Sequence, residues 1–131
     1  MITNLTPHPI RIYGWDVPDR FNVGEYEPTQ VFEPSGTVAR IGEIELGGEG
    51  QLRGCDTRVE LIEYRHINGI PPKYENWDTN STWYVVSLPV ALACGNPDDN
   101  VNFRNDLLVP FREVRNPEGI VIGCRSLALP V

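Results

Sequence analysis

Three polar residues, Ser87, Arg104 and Arg125, lie in or beside apolar, strand-like runs in the last third of the 131-residue chain. A guanidinium group next to a buried strand must find an anion, either a carboxylate of the protein or a group of a ligand. Arg104 has Asp106 two positions away, whereas arginine also binds phosphate through two parallel hydrogen bonds. From the residues alone, internal ion pairs and an anion-binding site both remain open.

The chain also offers the other groups that a small phosphorylated nucleotide requires. Aromatic side chains can stack on a base, and neutral polar groups can bind its edges and hydroxyls. The candidate ligand-binding residues are Arg58, Trp77, Trp83, Tyr84, Ser87, Arg104, Asn105 and Arg125. In the alternative interpretation, the aromatic residues fill the core and each arginine pairs with an acid of the protein.

Patterns typical of catalysis or metal binding are weak. The two histidines, His8 and His66, lie in no recognisable nucleophile–base motif. Cys55, Cys94 and Cys124 are far apart and form no Cys-x-x-Cys pair, so we expect free thiols and no bound metal. The apolar neighbours of Cys124 predict a buried, inert thiol. We therefore expect a binding protein without a cofactor rather than an enzyme.

The charge of the chain restricts its partners. A formal net charge of −7 argues against binding long nucleic acids, which need a basic surface to displace counterions. No apolar run is long enough to span a bilayer, and residues 1–8 lack the basic and apolar regions of a signal peptide. We expect a single cytoplasmic domain over residues 1–131 that does not contact a membrane.

The first half of the chain has the pattern of short strands. Twelve glycines and twelve prolines divide the chain into short pieces. Alternating apolar residues predict strands at 8–13, 37–46 and 58–65, and the glycine-rich residues 47–50 are typical of a hairpin tip. Residues 14–30 are predicted to form a long, irregular loop.

The second half predicts a strand, a helix and further strands. The apolar run 83–88, a short helix at 90–94 and a strand at 107–109 follow in an order that allows a parallel crossover. The sequence of residues 116–119 predicts a turn between the last two strands. Together these elements indicate the α+β class, in a single domain of mostly antiparallel β-sheet with one or two short helices.

A series of short motifs resembles a set of small phage and prophage proteins over nearly the whole chain. The motifs are Asn4-Leu5-Thr6-Pro7-His8, Pro34-Ser35-Gly36-Thr37-Val38-Ala39-Arg40, Gly69-Ile70-Pro71, Tyr84-Val85-Val86-Ser87, Arg104-x-Asp106-Leu107 with Pro110, and Gly119-x-x-x-Gly123-Cys124-Arg125-x-Leu127. Relative to that set, the loop at 14–30 and the acidic loop at 95–103 look like additions.

The size of the chain and its late arginines also resemble the first family of Thoeris anti-defence sponges. Those phage proteins sequester cyclic ADP-ribose isomers made by host TIR enzymes, and they assemble as oligomers. The resemblance implies a homo-oligomer in the infected bacterial cell that holds a small nucleotide ligand without cleaving it. Ser87, Arg104 and Arg125 match by spacing and character. The alternatives are a small hydrolase or lyase of the same nucleotides, and a virion accessory protein or inhibitor of a host protein.

Overall fold

The computed structural model describes residues 1–50, 54, 56, 59–72, 82–99 and 101–130. In chain order its elements are β1 (Ile2–Asn4), β2 (Ile10–Ile12), β3 (Gln30–Phe32), β4 (Arg40–Gly50), β5 (Val59–Asn68), β6 (Trp83–Val85), α1 (Leu88–Ala93), β7 (Leu107–Arg115) and β8 (Val121–Ala128). The described residues are therefore mostly β-sheet with a single short helix, in agreement with the predicted class. No helix in these ranges has the length and apolar character needed to cross a membrane.

The strands form one six-stranded sheet and a separate hairpin. The sheet has the order β1–β6–β7–β8–β2–β3, and β4 pairs with β5 in the hairpin. Within the sheet, β7–β8 and β2–β3 are antiparallel, whereas β1–β6, β6–β7 and β2–β8 are parallel. The sheet is thus mixed. The prediction of antiparallel pairing holds for its β7–β8 and β2–β3 pairs. Parallel pairs need longer connections, which local sequence patterns do not reveal.

Two local predictions are confirmed. Helix α1 connects β6 to the parallel strand β7, so the strand–helix–strand order does form a crossover. The turn at 116–119 joins β7 to β8, and Gly119 N–H donates to the carbonyl of Asn116 at 2.9 Å. Gly119 has a φ of 85°, a conformation that glycine adopts without the steric cost of a Cβ atom.

The predicted hairpin tip at 47–50 is wrong. These residues belong to β4, which pairs with β5 as far as Gly50, with a register shift between Glu45 and Glu49. The irregular register accommodates glycines within the strand, as expected for a β-bulge. The long loop at 14–29 agrees with its prediction, since the next strand, β3, begins at Gln30.

The edges of the six-stranded sheet meet at Asn4. Ser35 N–H donates to the Asn4 carbonyl at 3.0 Å, and the Asn4 Nδ2 amide donates to the Phe32 carbonyl at 2.9 Å and to the His8 carbonyl at 2.8 Å. Asn4 Oδ1 accepts from the backbone N–H and the hydroxyl of Thr6 at 2.9 and 2.7 Å. Asn4 is 2% exposed, and every donor and acceptor of its buried amide has a partner: one bond reaches Phe32 on the opposite edge, and three hold the adjacent residues 6–8.

Closure gives the sheet an apolar interior. Ile10, Val85 and Cys124 are buried there, with exposures of 7%, 0% and 1%. All six strands contribute to this cluster, because partly buried residues join it: Ile2, Ile12, Phe32, Leu108 and Leu127. The opposite side of the sheet packs a second cluster against α1 and the β4–β5 hairpin, including Tyr84, Val86 and Val90. A third cluster forms where the 14–29 loop folds back, around Tyr13, Phe21 and Val114.

We predict that Asn4→Asp lowers the free energy of unfolding by about 2–4 kcal/mol. A carboxylate cannot donate to the carbonyls of His8 and Phe32, and it places a charge in a buried position. Urea denaturation measures the loss. Asn96→Asp is the matched control, because Asn96 is exposed and its Oδ1 only accepts from Asp98 N–H. Equal losses in both variants would show that the Asn4 amide does not hold the sheet closed.

Candidate functional site

Arg104 is bound within the protein. Its Nε and Nη2 atoms donate to the two carboxylate oxygens of Asp106 at 2.9 and 2.7 Å, and Nη1 donates to the Pro71 carbonyl at 2.7 Å. Both side chains of the ion pair are largely buried, at 13% and 16% exposure. The guanidinium also lies 5.8 Å from the ring centre of Tyr84. Arg104 therefore links the chain before β7 to the segment after β5. Of the two alternatives left open by the sequence, an internal ion pair or a ligand anion, Arg104 has the internal ion pair.

Arg125 has internal partners as well. Its Nη1 donates to the Gly14 carbonyl at 2.7 Å, and Nη2 donates to the Val17 carbonyl and to Asp19 Oδ1, both at 2.8 Å. The Arg125 side chain is 8% exposed, whereas that of Asp19 is 91% exposed. A buried cation from β8 thus fixes the start of the 14–29 loop.

The loop held by Arg125 presents an exposed tryptophan. Trp15 is 67% exposed, and the guanidinium carbons of Arg112 and Arg125 lie 5.1 and 5.8 Å from its ring centre. These distances are within the range of cation–π attraction. With Asp19 and Glu113, these three residues line a cleft of about 360 Å³. We call this group of five residues the Trp15 site.

Arg112 is the cation of the Trp15 site that is available to a ligand. Its side chain is exposed and makes no hydrogen bond or ion pair with any residue in the described ranges. Its φ of 58° is the only positive value among the described non-glycine residues. The left-handed conformation costs an L-residue about 1–2 kcal/mol, and such strain occurs preferentially at functional sites. The ring centre of Phe111, which is 48% exposed, lies 5.3 Å from the Arg112 guanidinium carbon.

The structure separates the residues proposed from the sequence. The contacts of Arg104 are with Tyr84, Asp106 and Pro71, and it shares none of these partners with Arg125. Tyr84 is 5% exposed within the core, so its ring has no free face for a base. The two arginines, both proposed from the sequence to hold phosphate, therefore bind different parts of the protein.

The remaining candidates lie elsewhere. Ser87 is exposed and precedes α1, where its carbonyl accepts from Ala91 N–H, and it lines a different cleft of about 570 Å³ together with Arg40. Trp83 is half-buried at the start of β6, and Asn105 is exposed before β7. Arg58 and Trp77 lie outside the described residues.

The buried cysteines are unsuited to nucleophilic chemistry. Cys94 and Cys124 are free thiols, each 1% exposed, and burial raises the pKa of both. A raised pKa keeps the thiol protonated and unreactive near neutral pH. The predicted buried thiol at Cys124 is confirmed, and Cys55 lies outside the described residues. Within the described ranges, His, Cys, Asp and Glu side chains form no group of three that could hold a metal ion.

Comparison with known proteins gives no relative: no family model, no curated protein and no solved structure matches this chain. The site must therefore be interpreted from its own geometry.

Sequence reasoning missed Trp15. This residue lies in the proline-containing segment that the sequence predicts as an irregular loop, and its partner Arg112 is not among the candidates chosen from the sequence. One signal could have found it, because a tryptophan among polar, turn-forming residues has no local core to enter. The position of Arg112 opposite that loop depends on the path of the loop across β7 and β8, where Phe21 N–H donates to the Arg115 carbonyl.

We predict that Arg125→Ala destabilises the protein by about 2–4 kcal/mol, because it leaves the carbonyls of Gly14 and Val17 without donors. Asp19→Ala should cost less than about 1 kcal/mol, since its carboxylate is almost fully exposed to water. Urea denaturation of both variants tests the difference. A cost for Asp19→Ala as large as that for Arg125→Ala would place the stabilisation in the ion pair instead of the carbonyl bonds.

The strain at Arg112 is separately measurable. Arg112→Gly and Arg112→Ala both remove the guanidinium, but glycine accepts the left-handed backbone. We expect Arg112→Gly to be more stable than Arg112→Ala by about 1 kcal/mol in thermal or urea unfolding. Equal stabilities would indicate that the backbone at this position relaxes when the arginine is removed.

Proposed function

We propose that this protein binds a small nucleotide at the Trp15 site and sequesters it without cleaving it. The observation that carries the proposal is Arg112, an exposed guanidinium without an acidic partner in the described ranges, held against an exposed indole by a strained backbone. Strain of this kind is retained where the position of the side chain matters more than stability.

The groups of the site correspond to the parts of a nucleotide. Trp15 offers a surface for base stacking, and Arg112 offers a planar pair of donors for phosphate oxygens. Asp19 and Glu113 accept hydrogen bonds from ribose hydroxyls or an exocyclic amine. The cleft of about 360 Å³ falls within the usual size range of small-ligand sites. The two arginines of the cleft balance its two carboxylates, so the site is less acidic than the chain as a whole, which has a net charge of −7.

Among small nucleotides, the resemblance to Thoeris anti-defence sponges favours a cyclic ADP-ribose isomer as the ligand. On this proposal the protein acts as a homo-oligomer in the cytoplasm of an infected bacterium and lowers the concentration of an immune signal. On this proposal Arg112 contacts the ligand and Arg125 positions the loop, whereas the sequence analysis expected Arg125 itself to bind the ligand.

The decisive experiment mixes the purified protein with a cyclic ADP-ribose isomer, removes free ligand by filtration, and then denatures the protein by heat. We expect the ligand to be depleted from the filtrate and to return intact after heating, as measured by liquid chromatography. Recovery of a cleaved product would identify a hydrolase or lyase, for which Asp19 and Glu113 would be the acid–base candidates. An undepleted filtrate would refute nucleotide binding.

Two variants locate the binding site. Arg112→Gly should weaken binding by about 10-fold to 100-fold, since it removes a charge-assisted bidentate contact while relieving backbone strain. Arg40→Ala is the matched control, because Arg40 is an exposed arginine in the separate cleft beside Ser87. A stronger loss in Arg40→Ala than in Arg112→Gly would move the site to the Ser87 cleft.

A second candidate function is binding to a host protein through the same surface. Trp15 and Phe111 are exposed aromatic residues near the Arg112 guanidinium, and tryptophan and arginine are among the residue types enriched in interface hot spots. This function is favoured if the nucleotide is not depleted and Trp15→Ala abolishes co-purification with a defined host TIR enzyme.

A further inference from the structure

A second cleft lies along β2 and β8, on a different part of the sheet from the Trp15 site. It has a volume of about 560 Å³ and shares no lining residue with the Trp15 site. Ile10 and Cys124, which belong to the interior of the closed sheet, form part of its wall. The cleft therefore borders the apolar interior.

The lining of this cleft is mostly apolar and partly uncovered. Ile120 and Val121 line it at 62% and 43% exposure, and Ile122 and Pro110 extend the apolar wall. Covering exposed aliphatic surface is favourable because it removes apolar area from water. The walls thus favour a ligand with an apolar body.

The permanently charged side chain at the cleft is a cation. Arg11 and His8 line it, and no Asp or Glu is among its lining residues, although the whole chain carries a net charge of −7. The Arg11 guanidinium makes no hydrogen bond or ion pair with a residue in the described ranges. Arginine at the edge of an apolar cleft is suited to a carboxylate, which it binds through two parallel hydrogen bonds.

The geometry points to a second ligand site in this cleft, for a small apolar molecule that bears one carboxylate. The apolar body lies against Ile120, Val121 and Ile122, and Arg11 binds the carboxylate. This inference is independent of the nucleotide proposal, because the two sites have different residues and different ligand chemistry.

Isothermal titration of the full chain with 2-naphthoate tests the inference. We expect saturable binding, and we expect the neutral 2-naphthamide to bind at least about tenfold more weakly, because it cannot pair with a guanidinium. Absence of naphthoate binding, or equal affinities for the acid and the amide, would overturn the assignment.

Variants then locate the naphthoate. Arg11→Ala and Val121→Asp should each weaken binding at least about tenfold, the first by removing the cation and the second by adding a repelling charge. Val101→Asp is the matched control and should change the affinity less than about twofold, since Val101 is 90% exposed and lies outside the cleft. Thermal unfolding establishes that each variant is folded. Unchanged affinity in a folded Val121→Asp variant would overturn the site even if Arg11→Ala does not fold.

Discussion

The fold depends on one buried amide. Asn4 connects β1 to the chain after β3 through its own backbone and side chain, and it is 2% exposed. A buried amide is tolerated in such a place only when each donor and acceptor has a partner, and Asn4 meets that condition with four side-chain bonds. The side-chain bond to Phe32 and the backbone bond from Ser35 bring the two edges of the sheet together, enclose the apolar interior around Val85 and leave fewer exposed strand edges.

Guanidinium groups perform the same task for the loops. Arg104 and Arg125 each bind a backbone carbonyl from a segment far away in the chain, so irregular segments with few apolar residues acquire fixed positions. This arrangement explains how an acidic chain rich in glycine and proline retains long loops. It also has a functional consequence, because the two structural arginines leave Arg112 as the exposed cation beside Trp15.

The parts of the fold that were predictable from sequence are local. The turn at 116–119 and the helix after Ser87 are specified by residues within a few positions, and both form as expected. The closed sheet was not predictable in this way, because Asn4 pairs with residues about thirty positions later and its partners are mostly backbone atoms. The candidates from sequence combined arginines with Trp77, Trp83 and Tyr84, whereas the proposed site combines Arg112 with Trp15, which only the path of the 14–29 loop brings together.

The sequence by itself determined that Arg104 and Arg125 need acceptors, since a guanidinium beside an apolar strand cannot remain unpaired. It also determined that the chain forms short strands and a short helix, and that its net charge is negative. Only the tertiary structure decided which acceptors these arginines have. For Arg104 the carboxylate lies two residues away, whereas the carbonyls bound by Arg125 lie 111 and 108 residues earlier. Every residue has a carbonyl, so sequence does not mark these acceptors, and their position follows from the path of the loop.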